Sequence, residues 1–332
     1  PGEPGPHTTQ GGYVMHRVLL SAIVVALTAS SAVAVAAQSE MDAVSRPAAP
    51  SDGCGLTTAE PGSHRHLSLD VDGLERTWSM RVPPAHDGVT AVPMWLQLHG
   101  CCGGTGGEQL MMHKIAADEH GFVLVAPDAY LARGWWMFDA ETAVLDTSSS
   151  NPDISFIGVL IDHLGRELCI DLARVYAAGY SAGGDGVSVL GCVLEDRIAA
   201  VAPVAAALDL GDECRLDRPM PLLAVHAVDD GKAYFDGGFA PPLDEWPVHQ
   251  AYGQASLPER IASVAARNGC GPEPAIEAIG EDVERWTWPC PEGAEVGLVV
   301  HGAGHSWPSA SRAGLDGTAL IWEFFEQHPM PE

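Results

Sequence analysis

The stretch Gly179-Tyr180-Ser181-Ala182-Gly183-Gly184 limits the folds open to this chain more than any other. Residues 174–178 before it are a short apolar run of strand type. Residues 185–194 after it carry Val187, Val189, Leu190 and Val193 at helical spacing. A strand therefore runs into Ser181 and a helix leaves it. Glycines two residues either side of the serine relieve the crowding of so sharp a turn, which lifts the hydroxyl above the end of a sheet. The bare G-x-S-x-G pattern is common, but its setting between strand and helix makes it a nucleophile elbow.

Residues 65–82 alternate polar and apolar with period two, break at Asp72-Gly73 and resume, which predicts an antiparallel hairpin. Residues 93–99 are a denser apolar run, suited to a strand buried on both faces of a mostly parallel sheet. That run ends in His99-Gly100-Cys101-Cys102-Gly103-Gly104. Helices are expected over 108–120, 153–168, 256–267 and 314–327, and strands over 122–126, 198–204, 222–226, 283–288 and 298–301. With no internal repeat, this alternation implies one doubly wound α/β domain over residues 52–332.

Ahead of that domain, Met15-His16-Arg17 precede a Val-, Leu- and Ala-rich run over 18–37 that ends in small residues. Translation is expected from Met15, and residues 1–37 read as an extension and a secretory signal peptide cut near Ala37. Glu40 and Asp42 provide no basic stop-transfer flank, so no stable membrane insertion is expected after cleavage. Residues 38–51 read as a Pro/Ala/Ser linker. An even number of cysteines, eight, in a chain bound for export predicts oxidised pairs. There is no C-x-x-C pair and no H-E-x-x-H helix, so neither a metal nor another cofactor is expected. The balance of 44 acidic to 17 basic residues, a formal charge of -27, repels polyanions and argues against a nucleic-acid partner. That charge reads as a device for solubility rather than recognition.

A serine hydroxyl becomes a good nucleophile only when a base takes its proton, and a carboxylate usually orients that base. Asp229 and Asp230 follow the strand 222–226, and His305 follows the strand 298–301 within His301-Gly302-Ala303-Gly304-His305-Ser306-Trp307-Pro308. The chain order is thus Ser, Asp, His, the order an elbow of this type requires. The turn after His99-Gly100 is expected to bring backbone N–H groups beside Ser181, where they and the N–H of Ala182 would hold an oxyanion. Cys101 is the first choice for the second donor and Cys102 the next. Trp135-Trp136, with Phe138, follow the carboxyl end of a strand, where ligands enter such sheets. With Trp307 two residues from His305, and Tyr180 beside the serine, they are the expected substrate wall, suited to a planar acyl group or a polymer chain.

His99-Gly100-Cys101, the elbow, His226-Ala227-Val228-Asp229-Asp230 with Gly237-Gly238, and Gly304-His305-Ser306-Trp307-Pro308 together carry a resemblance. From about residue 65 onward the chain resembles the secreted polyhydroxybutyrate depolymerase and feruloyl esterase group of carbohydrate esterase family 1. That resemblance implies the α/β-hydrolase fold. It puts Ser181 on the nucleophile, Asp230 on the catalytic acid and His305 on the base; because neighbouring side chains on an extended segment point to opposite sides, Asp229 is then expected to face away and at most to brace the turn. Ala227 stands where the group usually has glycine, and Gly231-Lys232-Ala233-Tyr234 lacks its V-P-Y. The resemblance also implies a Cys270–Cys290 disulfide. Cys169 and Cys192, twelve residues before and eleven after Ser181, are candidates to pair, and Cys54, Cys101, Cys102 and Cys214 are left open.

The expected function is a secreted serine carboxylesterase that releases hydroxycinnamoyl or similar acyl groups from plant polymers through an acyl-enzyme. An ester, polymer-linked or oligomeric, is its implied partner. The alternative is a depolymerase of poly- or oligo-3-hydroxybutyrate. The sequence after His305 holds no threonine-rich linker or second domain for gripping a solid polymer, which favours the first reading. Peptidase or acyltransferase chemistry, and a non-catalytic binding protein on the same scaffold, are remoter readings.

Overall fold

The computed structural model describes residues 47–56, 60–102, 104–130, 136, 146–241, 243–245 and 247–331. The expected signal peptide and residues 38–46 of the expected linker lie outside the described residues, as do Trp135 and Phe138. Ten strands form one sheet. They are β1 (Gly62–Val71), β2 (Leu74–Val82), β3 (Val92–Leu98), β4 (Val123–Pro127), β5 (Ile170–Tyr180), β6 (Ala200–Val204), β7 (Leu222–Ala227), β8 (Ala275–Gly280), β9 (Val283–Thr287) and β10 (Val296–His301). Their order across the sheet is β1-β2-β4-β3-β5-β6-β7-β10-β9-β8.

The six central strands from β4 to β10 run parallel. Antiparallel hairpins close both edges, β1–β2 turning at Asp72-Gly73 and β8–β9 at the other side. Every residue of β3, β4, β6, β7 and β10 is buried, as their unbroken apolar runs require when helices cover both faces. The fold is the expected doubly wound α/β sheet with an N-terminal hairpin. The strand β8 escaped the sequence reading because all six of its residues are exposed, so it carries no core-facing period.

On one face pack α2 (Pro152–Glu167), α3 (Ala182–Val193) and α5 (Leu257–Arg267), through Ile157, Leu160, Val187, Leu190 and Ile261. On the other pack α1 (Gly106–His120) and α7 (Gly317–Glu326), whose Trp322 and Phe325 meet Trp95 of β3 at ring distances of 6.3 and 5.2 Å. Two short helices, α4 (Pro247–Tyr252) and α6 (Ala310–Ala313), complete the set among the described residues. Helix starts follow local chemistry. Thr105 and Glu108 form a capping box on α1, Ser256 and Glu259 another on α5, and Asn151 followed by Pro152 opens α2. Arg76 of β2 reaches Asp153 at 2.7 Å with both side chains buried, tying the hairpin to the start of α2.

The expected linker is anchored at its end. Ala49 N–H donates to Asp171 Oδ1 at 2.8 Å, and the Ser51 hydroxyl donates to Leu168 O at 2.8 Å. Residues 49–51 therefore dock on the start of β5 rather than trail free, since that edge offers carbonyl and carboxylate acceptors that water alone would otherwise satisfy. Just beyond, Cys54 is bonded to Cys169. Cys192 pairs with Cys214, and Cys270 with Cys290, the last as the resemblance implied. The expected Cys169–Cys192 pair is not formed. Twelve residues of strand span about 40 Å but eleven of helix only about 17 Å, so equal steps away from Ser181 end at different depths.

Candidate active site

The strand register gathers the site. Leu98 of β3 lies opposite Gly179 of β5, Tyr180 opposite Val204, and His301 of β10 opposite Ala227 of β7. The turns that leave these strands share one sheet edge, and they carry Cys101, Ser181, Asp230 and His305. Ser181 takes a strained left-handed backbone, φ 55° and ψ -122°, at a cost of about 1–3 kcal/mol. The glycines around it are close-contact positions. A Cβ on Gly179 would lie 2.0 Å from Gly183 O, and one on Gly183 would lie 2.4 Å from Leu98 O. The elbow is pinned by Ser181 N–H donating to Val204 O at 2.8 Å.

The Ser181 hydroxyl is 2.8 Å from His305 Nε2, and His305 Nδ1 is 2.8 Å from Asp230 Oδ2. An ionised carboxylate only accepts, so Nδ1 carries the proton and Nε2 is left to receive that of the serine. The other Asp230 oxygen accepts the N–H groups of Lys232 and Ala233, at 2.8 and 3.0 Å. Burial raises the Asp230 pKa, but the His305 hydrogen bond and charge, with the Lys232 N–H, outweigh it and hold the carboxyl below its ordinary value. His226, whose Nε2 lies 3.6 Å from Asp230 Oδ2, donates to Ala233 O at 2.9 Å. Its burial lowers its pKa to about 4, so it stays neutral beside the carboxylate. The arrangement can move a proton from a hydroxyl to an imidazole whose charge is compensated on the far side.

Two further residues act on the histidine loop. Asp229 Oδ1 accepts the Gly304 N–H at 2.8 Å and so braces the turn at Gly304, φ 62°. Tyr180 donates its hydroxyl to the His305 carbonyl at 2.9 Å, with ring centres 5.3 Å apart. It therefore holds the base as well as flanking the serine, a role that only its place at the end of β5 could have signalled.

The turn after β3 is clamped from behind. Ala129 N–H donates to His99 Nε2 at 3.2 Å, which leaves His99 Nδ1–H to donate to Gly100 O at 2.8 Å. Trp136 Nε1–H donates to the His99 carbonyl at 2.9 Å. A Cβ on Gly100 would stand 3.3 Å from Ser181 Cβ, so this turn lies directly on the elbow. Cys101 follows Gly100, and Ala182 opens α3 with an N–H that has no partner within the helix. The positive end of α3 thus lies beside the serine.

Of the expected substrate wall, Trp136 has no exposed surface to offer a ligand. Trp136 is fully buried beneath the turn, packed on Gly186 and His99, because its indole N–H is the donor that fixes the His99 carbonyl. It is a support and not a wall. Trp307 is half-buried, and its Nε1–H donates to Thr318 Oγ1 at 3.0 Å. Among the described residues no cluster of three or more His, Cys, Asp or Glu side chains stands so as to hold a metal ion, and no helix is long and apolar enough to cross a membrane.

No protein-family profile matches the chain. It is 32% identical over 186 residues to feruloyl esterase B of Piromyces equi, a match covering 54% of this chain and 32% of that protein. It thus spans about a third of that relative's length. It is 29% identical over 259 residues to the putative esterase NocK of Nocardia uniformis subsp. tsuyamanensis, covering 73% of each. It is 30% identical over 142 residues to the poly(3-hydroxybutyrate) depolymerase of Ralstonia pickettii, covering 37% of this chain and 27% of that one. Among solved structures, acetyl xylan esterase from Aspergillus awamori superposes with a TM-score of 0.54 at 14% identity, over 79% of this chain and 98% of that one. The sheet order, the elbow and these likenesses make the chain an α/β-hydrolase by fold and a sequence relative of feruloyl esterases and a polyhydroxybutyrate depolymerase.

Proposed function

We propose that this chain is a serine carboxylesterase acting through an acyl-enzyme. Ser181 attacks the ester carbonyl as His305 Nε2 takes its proton, Asp230 orients and compensates the imidazolium, and the N–H groups of Ala182 and Cys101 receive the oxyanion. His305 then gives the proton to the departing alcohol, and water repeats the sequence to free the acid. The observation that carries this reading is the pair of 2.8 Å contacts that join Ser181, His305 and Asp230 in series. The preferred substrates are hydroxycinnamoyl esters of plant polymers, in keeping with the feruloyl esterase relative. Oligomers of 3-hydroxybutyrate are the second reading, for which the Ralstonia relative speaks. The three disulfides and the apolar leader support export, and residues 52–332 read as one catalytic domain.

The test is a paired assay on methyl ferulate and 3-hydroxybutyrate oligomers with the native chain and Ser181→Ala. The expected result is turnover of methyl ferulate, a loss of roughly 10⁴-fold or more in the mutant, and a phenylmethylsulfonyl adduct on Ser181. A folded mutant that kept more than a few per cent of the rate would remove Ser181 from its role. Faster turnover of the hydroxybutyrate oligomers would select the second reading.

A further inference from the structure

Of the eight cysteines, six are bonded in three disulfides, and the two left over are neighbours. Both lie on the turn that packs against Ser181. The Cys101 thiol is half-buried and the Cys102 thiol exposed. Burial, together with a hydrogen bond between the two thiols, pushes the Cys101 pKa up to about 12. Cys102 holds a left-handed backbone, φ 67°, which a non-glycine residue rarely adopts. The two free thiols thus stand side by side, in a chain that otherwise oxidises its cysteines, on the turn of the proposed oxyanion donor.

We propose that Cys101 and Cys102 are a reversible thiol–disulfide exchange site that takes low-molecular-weight disulfides and thereby sets the rate of the reaction at Ser181. The effect on rate rests on the esterase reading above. The exposed Cys102 thiolate attacks one sulfur of the small disulfide and expels the first thiolate. The Cys101 sulfur then attacks Cys102 Sγ and expels the second. One S–S bond breaks in the reagent and one forms in the protein, and the two protons lost by the cysteines end on the two released thiols. The high pKa of Cys101 makes the second step the slow one.

Closure of this ring strains the turn. Consecutive Cα atoms are about 3.8 Å apart across a trans peptide, short of the usual disulfide span of about 4.4–6.8 Å. The peptide between the two cysteines must therefore twist, and a strained bond of this kind is easily reduced again. Upstream, His99 and Gly100 are held by Ala129, Trp136 and the elbow, so the twist is taken up at Cys101, whose N–H is the proposed donor. Complete loss of one such donor costs about 10²–10³ in kcat. A misaligned donor is expected to cost roughly 10- to 100-fold.

The experiment exposes the full chain to graded ratios of oxidised to reduced glutathione. It reads kcat and KM on a p-nitrophenyl ester and maps alkylated peptides without reduction. Expected is a peptide over 101–102 that loses two hydrogens and escapes alkylation as kcat falls at least tenfold with KM little changed. Mild reduction that spares the other three disulfides reverses both. Cys102→Ser and Cys102→Ala, each compared with itself, keep the same kcat in both buffers. The proposal is overturned if both thiols alkylate at every ratio, if the ring forms with kcat unaltered, or if the Cys102 variants still respond. Should no ester be turned over in any buffer, the esterase reading fails on its own, and the mapping still judges the exchange site.

Discussion

Replacing Asp230 by Asn keeps the shape of the side chain and changes what one of its two ends can do. Asp230 Oδ1 accepts two backbone N–H groups, and Oδ2 accepts His305 Nδ1–H. An amide has one oxygen and one NH₂. If the oxygen faces His305, the NH₂ is forced against the Lys232 and Ala233 N–H groups, leaving the buried Ala233 donor unpaired at about 1–3 kcal/mol and crowding the half-buried one of Lys232. The amide therefore turns its NH₂ to His305, whose Nδ1 must then accept. The ring proton moves to Nε2, which now donates to Ser181 Oγ and cannot take its proton. A wrong tautomer of this kind costs on the order of 10⁴ in turnover, or about 5.5 kcal/mol of barrier. Asp229→Asn leaves an oxygen for the exposed Gly304 N–H and is expected to cost less than about tenfold. Turnover of both mutants, with circular dichroism to confirm folding, decides the matter. A larger loss at position 229, or a loss under a hundredfold at 230, refutes the argument.

The Cys54–Cys169 bond spans 115 residues and Cys270–Cys290 spans 20, so on the chain-entropy model their removal is expected to cost about 5 and about 3 kcal/mol. Urea midpoints of the paired Cys→Ser variants, compared at constant m, check that order. His226 is buried neutral with its pKa lowered to about 4, so its contribution is fully present above its unfolded value of 6.5 and is lost as pH falls from there toward 4. Acidification from pH 6.5 to below 4 is expected to lower the stability of the native chain by about 3 kcal/mol on this account. His226→Asn should flatten that part of the stability curve, and an unchanged slope between pH 6.5 and 4 would contradict it.

The parts of this molecule written in local pattern were legible in its sequence. Gly179 and Gly183 announce a turn with no room for side chains, and the parallel strands announce themselves as unbroken apolar runs. The register of Asp230 over Asp229 came from the resemblance, and the hydrogen bonds at His305 agree with it. What depends on distance in space was not legible. Trp136 looks like a loop aromatic until its indole is found under His99, and Cys169 looks equidistant with Cys192 until strand rise is set against helix rise. The docking of Ala49 and Ser51 rests on the Asp171 carboxylate and the Leu168 carbonyl at the start of β5, acceptors 122 and 117 residues away in the chain, which no local pattern announces.

The Cys54–Cys169 bond gives the chain an unusual load path. A pull on the chain ahead of residue 47 meets the bonds of Ala49 and Ser51 and then crosses the disulfide into Cys169, the residue before β5. It bypasses β1 to β4 and arrives on the strand that ends at Ser181. The strands β1 to β4 hang from this line within a closed covalent ring. A protease cut anywhere inside that ring leaves both pieces tied together, and a tether attached ahead of residue 47 transmits its tension to the elbow strand without unravelling the hairpin.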